Sequence, residues 1–279
     1  MILTAKAKIA GIIGWPVGHS RSPLLHNHWL NLYGIDGAYI PMPVHPDHLG
    51  QAIRALPALN FRGANITIPF KQAVMAYLDE IDPKARRLKS VNTLVVRDDG
   101  SIWGTSTDGQ GFVDSLLAQY QAFDFTARPV TILGAGGAAR AIIAALLDQG
   151  VPEIRVVNRT IERIAGIQQD LDDPRILPAN DAGAALDGAG LLINSTALGM
   201  TGQSPLELDL TYLAPDAMVA DIVYAPLETD LLVRAKARGN PVLGGIGMLL
   251  YQARAGFNYW FGAMPDVTAE TARIVLEGK

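Results

Sequence analysis

Short apolar runs closed by Gly, Pro or Asn alternate along the chain with longer stretches whose apolar residues recur at helical spacing. The runs KIAGIIG (8–14), GAYIPMPV (37–44) and GANITI (63–68) read as strands, with helices between them at about 23–33 and 46–56. VNTLVVRDDGSIWGTST (91–107) has two β-rich arms around Asp99-Gly100, a dipeptide suited to a primed turn, and predicts a hairpin. A helix over 109–120 leads into a second series: PVTILG (129–134), EIRVVN (153–158), GLLIN (190–194), AMVADIV (217–223) and a short PVLGG (241–245). Alanine-rich or polar helical stretches separate these strands, which predicts a parallel, doubly wound sheet. Helices at about 246–261 and 267–277 finish the chain.

At 279 residues the chain exceeds the usual size of one hydrophobic core, so two α/β domains are expected, with a boundary near 105–110. Apolar residues at 49% against 18% charged suit packed cores rather than disorder. A net charge of −4 without a basic run argues against nucleic acid as a partner. Charges or prolines interrupt every apolar stretch before it reaches membrane-spanning length, and MILTAKAKIAG lacks the apolar segment of a signal peptide. The absence of cysteine excludes disulfides, thiol nucleophiles and cysteine-ligated zinc, and fits a reducing cytoplasm. The pairs His26/His28 and His45/His48 have no evident further ligand, so no metal is expected. The expectation is a cytoplasmic enzyme acting on a small molecule, as a monomer or homodimer.

Two stretches carry candidate chemistry by themselves. PVTILGAGGAARAII sets strand, Gly134-x-Gly136-x-x-Ala139, then helix, so the loop Gly134, Ala135, Gly136, Gly137, Ala138 and Ala139 can lay a dinucleotide's pyrophosphate on a helix N-terminus. The following strand ends in VVNRTIER, with no acid for a ribose 2′-hydroxyl. Asn158, Arg159, Thr160 and Arg163 instead suit a 2′-phosphate, favouring NADP(H); the competing reading is a solvated arginine pair beside a helix cap. In GHSRSPLLHN, Ser20 and Ser22 stand where a strand hands over to a helix and can offer donors to an anion. Ser22 before Pro23 equally suits a plain N-cap. In GANITIPFK, Asn65 and Thr67 share one strand face, opposite Ile66 and Ile68, and Lys71 follows a turn. A lone lysine there is ordinarily a surface charge.

With GHSRSP, GANITIPFK, VNT, TDG and NRTIER in one order, the whole chain resembles the shikimate dehydrogenase family. The resemblance implies reversible NADPH-dependent reduction of 3-dehydroshikimate to shikimate in aromatic amino-acid (chorismate) biosynthesis. It implies a substrate domain of residues 1–107 completed by helices of 246–279, a Rossmann domain of 108–245, and a site between them. By the same resemblance Lys71 and Asp108 are catalytic, and Ser20 and Ser22 hold the substrate carboxylate. Asn65, Thr67, Asn92, Tyr224 and Gln252 complete the substrate site. The loop Asn194, Ser195 and Thr196, with Val223, Gly245 and Met248, borders the cofactor. Read from its pattern alone, a tyrosine such as Tyr224 after a strand is most often half-buried packing. Met248 and Gln252 lie four apart on one helix face, whereas Leu249, Phe257 and Trp260 read as core. One position departs from the family pattern: Ser106 precedes Thr107-Asp108-Gly109 where the family has asparagine. A quinate/shikimate or aminoshikimate variant and a catalytically silent NADPH-binding regulator are the alternatives. The SxS and NRTxxR motifs weigh against the first, and the retained Lys71 and Asp108 against the second.

Overall fold

The first apolar run forms β1 (Lys8–Gly14), whose last five residues are buried. In the computed structural model, which describes residues 3–278, β1 pairs in parallel with β2 (Gly37–Pro43) on one side and β3 (Phe61–Ile66) on the other. α1 (Ser22–Leu32) connects β1 to β2, while a 3-10 turn over Pro46–His48 and α2 (Leu49–Ala55) connect β2 to β3. β4 (Glu80–Ile81), α3 (Pro83–Leu88) and the hairpin of β5 (Thr93–Val96) with β6 (Ile102–Thr105) follow. The sheet runs β2-β1-β3-β5-β6-β4, with β5 antiparallel to both its neighbours. Ile13, Ile53, Ile66, Val74 and Leu94 are buried together in its core, each contributing about 1.5–3 kcal/mol of burial.

Two local expectations need correction. β3 stops at Ile66, so the alternation expected through residue 68 lapses and Ile68 turns to solvent, 62% exposed. The hairpin turn is not primed: Gly100 N donates to Arg97 O and Arg97 N to Ser101 O. Gly100 has φ +81°, but Asp99 is not left-handed. The positive φ therefore falls after the turn's central pair, the geometry of a longer loop closed by a glycine bulge.

The second sheet is parallel throughout. α4 (Asp108–Gln119) leads to β7 (Val130–Leu133), α5 (Gly137–Asp148), β8 (Ile154–Val157), α6 (Ile161–Leu171), β9 (Ile176–Ala179) and β10 (Leu191–Asn194). β11 (Met218–Asp221), α7 (Asp230–Ala237) and β12 (Val242–Leu243) follow. The order β12-β11-β10-β7-β8-β9 reverses direction between β7 and β10, the switch point of a doubly wound fold. β7, β10 and β11 are buried at every residue, as expected for strands covered on both faces. β9 has no counterpart among the expected strands. Its Pro178 lacks a backbone donor, and the strand accordingly takes the sheet edge.

α8 (Ile246–Phe261) and α9 (Ala269–Glu277) end the chain. Phe257 and Trp260 are buried as core, Trp260 Nε1 donating 2.8 Å to Leu94 O of β5, while Leu249 is half-buried. Contacts divide the chain into two units, Met1–Asp108 with Leu249–Lys279, and Gly109–Met248. Against expected boundaries at 107/108 and 245/246, the divisions fall at 108/109, at the start of α4, and at 248/249, inside α8. Among the described residues no helix is long and apolar enough to cross a membrane.

Candidate active site

The first unit gathers its polar side chains into one hydrogen-bonded chain. Lys71 is set by the turn after β3: Phe70, 2% exposed, donates its N–H to Thr67 O, and Val91 N donates to Lys71 O. Its Nζ donates 2.5 Å to Asp108 Oδ2 at the first residue of α4, where a helix N-terminus favours a carboxylate. Asn92 Nδ2 donates 2.8 Å to the other oxygen of Asp108 and shares its second hydrogen between Thr107 Oγ1 and Gln252 Oε1, at 3.1 and 3.3 Å. Asn92 Oδ1 in turn accepts from Thr107 N and Thr93 Oγ1, both at 2.9 Å. The side chain of Asn92, 3% exposed, is therefore fully engaged within the protein.

From Asn92 the chain continues toward the serine motif. Asn65 Nδ2 donates to Asn92 O and Thr93 Oγ1, and its Oδ1 accepts 2.6 Å from Tyr39 OH. The Ser22 hydroxyl bonds to Tyr39, whose burial raises its pKa well above the usual phenol value. Ser22 is not the N-cap of α1: Arg21 holds that position with no side-chain cap, and Ser22 N donates instead to Ser20 Oγ at 3.3 Å. The plain N-cap reading of Ser22 falls. Thr67 is half-buried with its methyl against Gly14, outside this chain of bonds. Of the expected residues, Ser20, Ser22, Asn65, Lys71, Asn92, Asp108 and Gln252 are brought together. Tyr39, Thr93 and Thr107 join them without having been singled out, although Thr93 and Thr107 lie inside the quoted VNT and TDG motifs. Ser106 Oγ is buried without a partner among the described residues.

In the second unit the glycine loop lies between β7 and α5. Gly134 has φ +104°, and a Cβ there would meet Ser195 Oγ at 2.8 Å, so both conformation and space demand glycine. At Gly136, the N-cap of α5, a Cβ would meet nothing within 4 Å, leaving the first amides of the helix approachable from outside. Gly137 and Ala138 begin α5, and Ala139 is fully buried against the sheet. Beside this loop a cavity of about 430 Å³ is lined by Gly134, Asn158, Arg159, Thr160, Arg163 and Thr196, with Ala182, Leu198, Leu206, Glu207 and Leu208. Thr160 occupies the N-cap position of α6 but makes no capping bond, so the cap reading explains its place and not its hydroxyl. Asn158 Nδ2 donates to Thr160 O at 2.8 Å and shapes the turn. Neither Arg159 nor Arg163 has an ion-pair partner among the described residues, and both are exposed. An open phosphate-sized approach and two unpaired guanidiniums at one cavity fit a dinucleotide carrying a 2′-phosphate.

The remaining expected residues fall around the ends of β10, β11 and β12. Ser195 Oγ donates 2.6 Å to Leu133 O, and Thr196 Oγ1 donates 2.7 Å to Asn194 Oδ1. Val223 is buried and Tyr224 half-buried in the turn after β11. Gly245 is buried where a Cβ would strike the carbonyls of Ile222 and Val223, a packing reason for glycine that needs no ligand. Met248 is half-buried in the first turn of α8. Tyr224 and Met248 belong to the second unit and Gln252 to the first. Sequence reading missed Asp221, 2% exposed at the end of β11; a carboxylate closing a fully apolar strand was the available signal. A larger cavity of about 660 Å³, lined by Tyr120, Phe123, Phe125, Arg128, Leu191 and Met218 among others, opens at the N-terminal strand ends. Ligands of such sheets bind at the carboxyl ends, so chemistry and not volume selects the smaller cavity.

Comparison with known proteins agrees over nearly the whole chain. Three family models match: the shikimate dehydrogenase substrate binding domain over residues 12–94, shikimate / quinate 5-dehydrogenase over 116–201, and the shikimate 5′-dehydrogenase C-terminal domain over 245–269. The NADP(+) shikimate dehydrogenase of Paramagnetospirillum magneticum is 52% identical, covering 98% of this chain and 100% of that one. That of Rhodospirillum rubrum is 48% identical over the full length of both. The solved structure of shikimate 5-dehydrogenase from Thermus thermophilus, in complex with NADP(H) and shikimate, superposes with a TM-score of 0.87 at 31% identity, covering 98% of this chain and 100% of that one. Similarity of this extent, running through both units, makes the chain a member of the shikimate dehydrogenase family.

Proposed function

We propose that the chain catalyses the reversible, NADPH-dependent reduction of 3-dehydroshikimate to shikimate, a step of chorismate biosynthesis in the cytoplasm. The first unit acts as the substrate domain and the second as the cofactor domain. Ser20 and Ser22 grip the substrate carboxylate, with Asn65, Thr67, Asn92, Gln252 and, from the second unit, Tyr224 contributing to the substrate site. The loop Gly134–Ala139, with Asn158, Arg159, Thr160 and Arg163, holds the pyrophosphate and 2′-phosphate. Ser195, Thr196, Val223, Gly245 and Met248 border the nicotinamide. Bound NADPH supplies the hydride.

Lys71 and Asp108 manage the proton. Reduction of a ketone builds negative charge on its oxygen, and the Lys71 ammonium both neutralises that charge and donates the proton; in oxidation it takes the proton back. Asp108 orients Lys71 because both its oxygens already accept, one from Lys71 and one from Asn92. That doubly held carboxylate is the observation that carries the reading. Following nicotinamide absorbance with NADP and NAD separately, against shikimate, quinate and no substrate, tests it. Shikimate with NADP should turn over fastest. Equal rates with quinate would refute the substrate assignment, equal rates with NAD the 2′-phosphate assignment, and no turnover with any pair the enzymatic reading itself.

A further inference from the structure

The Asp221 carboxylate ends β11 inside the second unit, 2% exposed, and no step of the proposed reaction uses it. Its Oδ1 accepts from Asn194 Nδ2 and from Val223 N, both at 3.0 Å, and its Oδ2 accepts from Thr229 Oγ1 at 2.7 Å. These three donors come from three segments: the end of β10, the turn after β11 and the N-cap of α7. Asn194 passes the connection on. Its Nδ2 also donates to Leu198 O at 3.1 Å, while its Oδ1 accepts from Thr196 N and Thr196 Oγ1. Thr196 and Leu198 both line the cavity that holds Arg159 and Arg163. The loops after β10 and β11 also meet through Thr201 N and Ala225 O, at 2.7 Å.

We infer that Asp221 is a positioning residue for the cofactor: its carboxylate sets the turn carrying Val223 and, through Asn194, the loop whose Thr196 and Leu198 wall the cofactor cavity. Burying a carboxyl is costly unless donors converge on it, and here a main-chain amide, a side-chain amide and a hydroxyl do so. A hydrophobic side chain would leave all three without an acceptor. An asparagine would not: its oxygen can keep Asn194 and Val223 N, and its amide can donate to Thr229 Oγ1. Geometry, and not charge, is therefore what the site requires.

The inference rests on the proposed reading that these loops border NADP(H), and the test separates the two. Dissociation constants for NADP⁺ and for shikimate are measured by titration calorimetry on wild type, Asp221→Ala and Asp221→Asn, with melting temperature alongside. Wild type binding no NADP⁺ would sink the functional reading itself. With wild type binding, Asp221→Ala should weaken NADP⁺ about tenfold, the scale of one or two orphaned buried donors, while shikimate binding changes less than about twofold. Asp221→Asn should bind NADP⁺ within about threefold of wild type. A merely structural role would lower the melting temperature of Asp221→Ala without this selectivity. Unchanged NADP⁺ affinity in the folded alanine variant, equal losses for both ligands, or an asparagine variant as weak as alanine would overturn the inference. Should Asp221→Ala not fold, Asn194→Ala cuts the same connection at its other end, and the same selective loss is required of it.

Discussion

In the unit that carries Lys71, polar side chains are joined to one another before any ligand contact: Ser22 to Tyr39, Tyr39 to Asn65, Asn65 to Thr93, Asn92 to Asp108 and Asp108 to Lys71. In the unit that carries the glycine loop, several groups stand open: Arg159 and Arg163 have no ion-pair partner among the described residues, the Thr160 hydroxyl makes no capping bond, and helix amides are approachable at Gly136. One side fixes orientation in advance, which serves a proton transfer that tolerates little misplacement. The other keeps donors free, which suits a highly charged ligand recognised by charge and main-chain amides. Substitutions in the first unit should therefore fall on turnover, and those in the second on cofactor affinity.

The largest effect should come from Lys71→Ala. Loss of a positioned proton donor lowers kcat by about 10²–10⁴-fold, with the dissociation constant for shikimate changed far less. Steady-state kinetics with calorimetric binding measures both. A variant that loses affinity and keeps kcat would erase the contrast between the units. Arg159→Ala should be next: removal of a charge-assisted contact worth about 1.5–3 kcal/mol weakens NADPH about 10–100-fold and leaves NADH nearly unchanged. KM for the two cofactors, measured in parallel, decides it, and equal losses would remove the 2′-phosphate from the second unit's account.

The same contrast governs what the sequence could disclose. The cofactor loop is local: strand, Gly134, Gly136, Ala139 and helix follow within a few residues, and the two arginines close the next strand, so spacing alone exposed them. The substrate-side chain of bonds joins distant residues. Tyr39 reaches Asn65 across 26 positions, and Asn92 reaches Gln252 across 160. A tyrosine in a strand is ordinarily core, and nothing local to Tyr39 announces that its hydroxyl turns toward Asn65. Lys71 and Gln252 were recognisable only through their motifs, since their own surroundings read as solvated surface. In the fold, strands buried on both faces were legible as apolar runs. β4, with two residues, and β9, carrying a proline, lacked the length and pattern that mark a strand.

The smallest effects concern buried titratable groups, and the units should differ in sign. His26 in the first unit is fully buried, stacked at 4.1 Å on Tyr39, and its ring nitrogens have no partner among the described residues. Burial lowers its pKa from 6.5 to about 3. Between those values the unfolded chain binds a proton that the native protein refuses, so His26 makes stability fall as pH drops from 6.5 toward 3. At pH 5 the loss depends only on the unfolded value and reaches about 2 kcal/mol. His26→Phe keeps the stacked ring and should flatten that limb of the melting-temperature profile. Asp221 in the second unit works oppositely: burial raises its carboxyl above the usual value, outweighing the bonds from Thr229, Val223 and Asn194. The native protein keeps its proton where the unfolded chain has lost it, so stability falls as pH rises through that window, and Asp221→Asn should remove the fall. Differential scanning calorimetry of both variants from about pH 4 to 8 reads the two slopes, and slopes of the same sign would end the comparison.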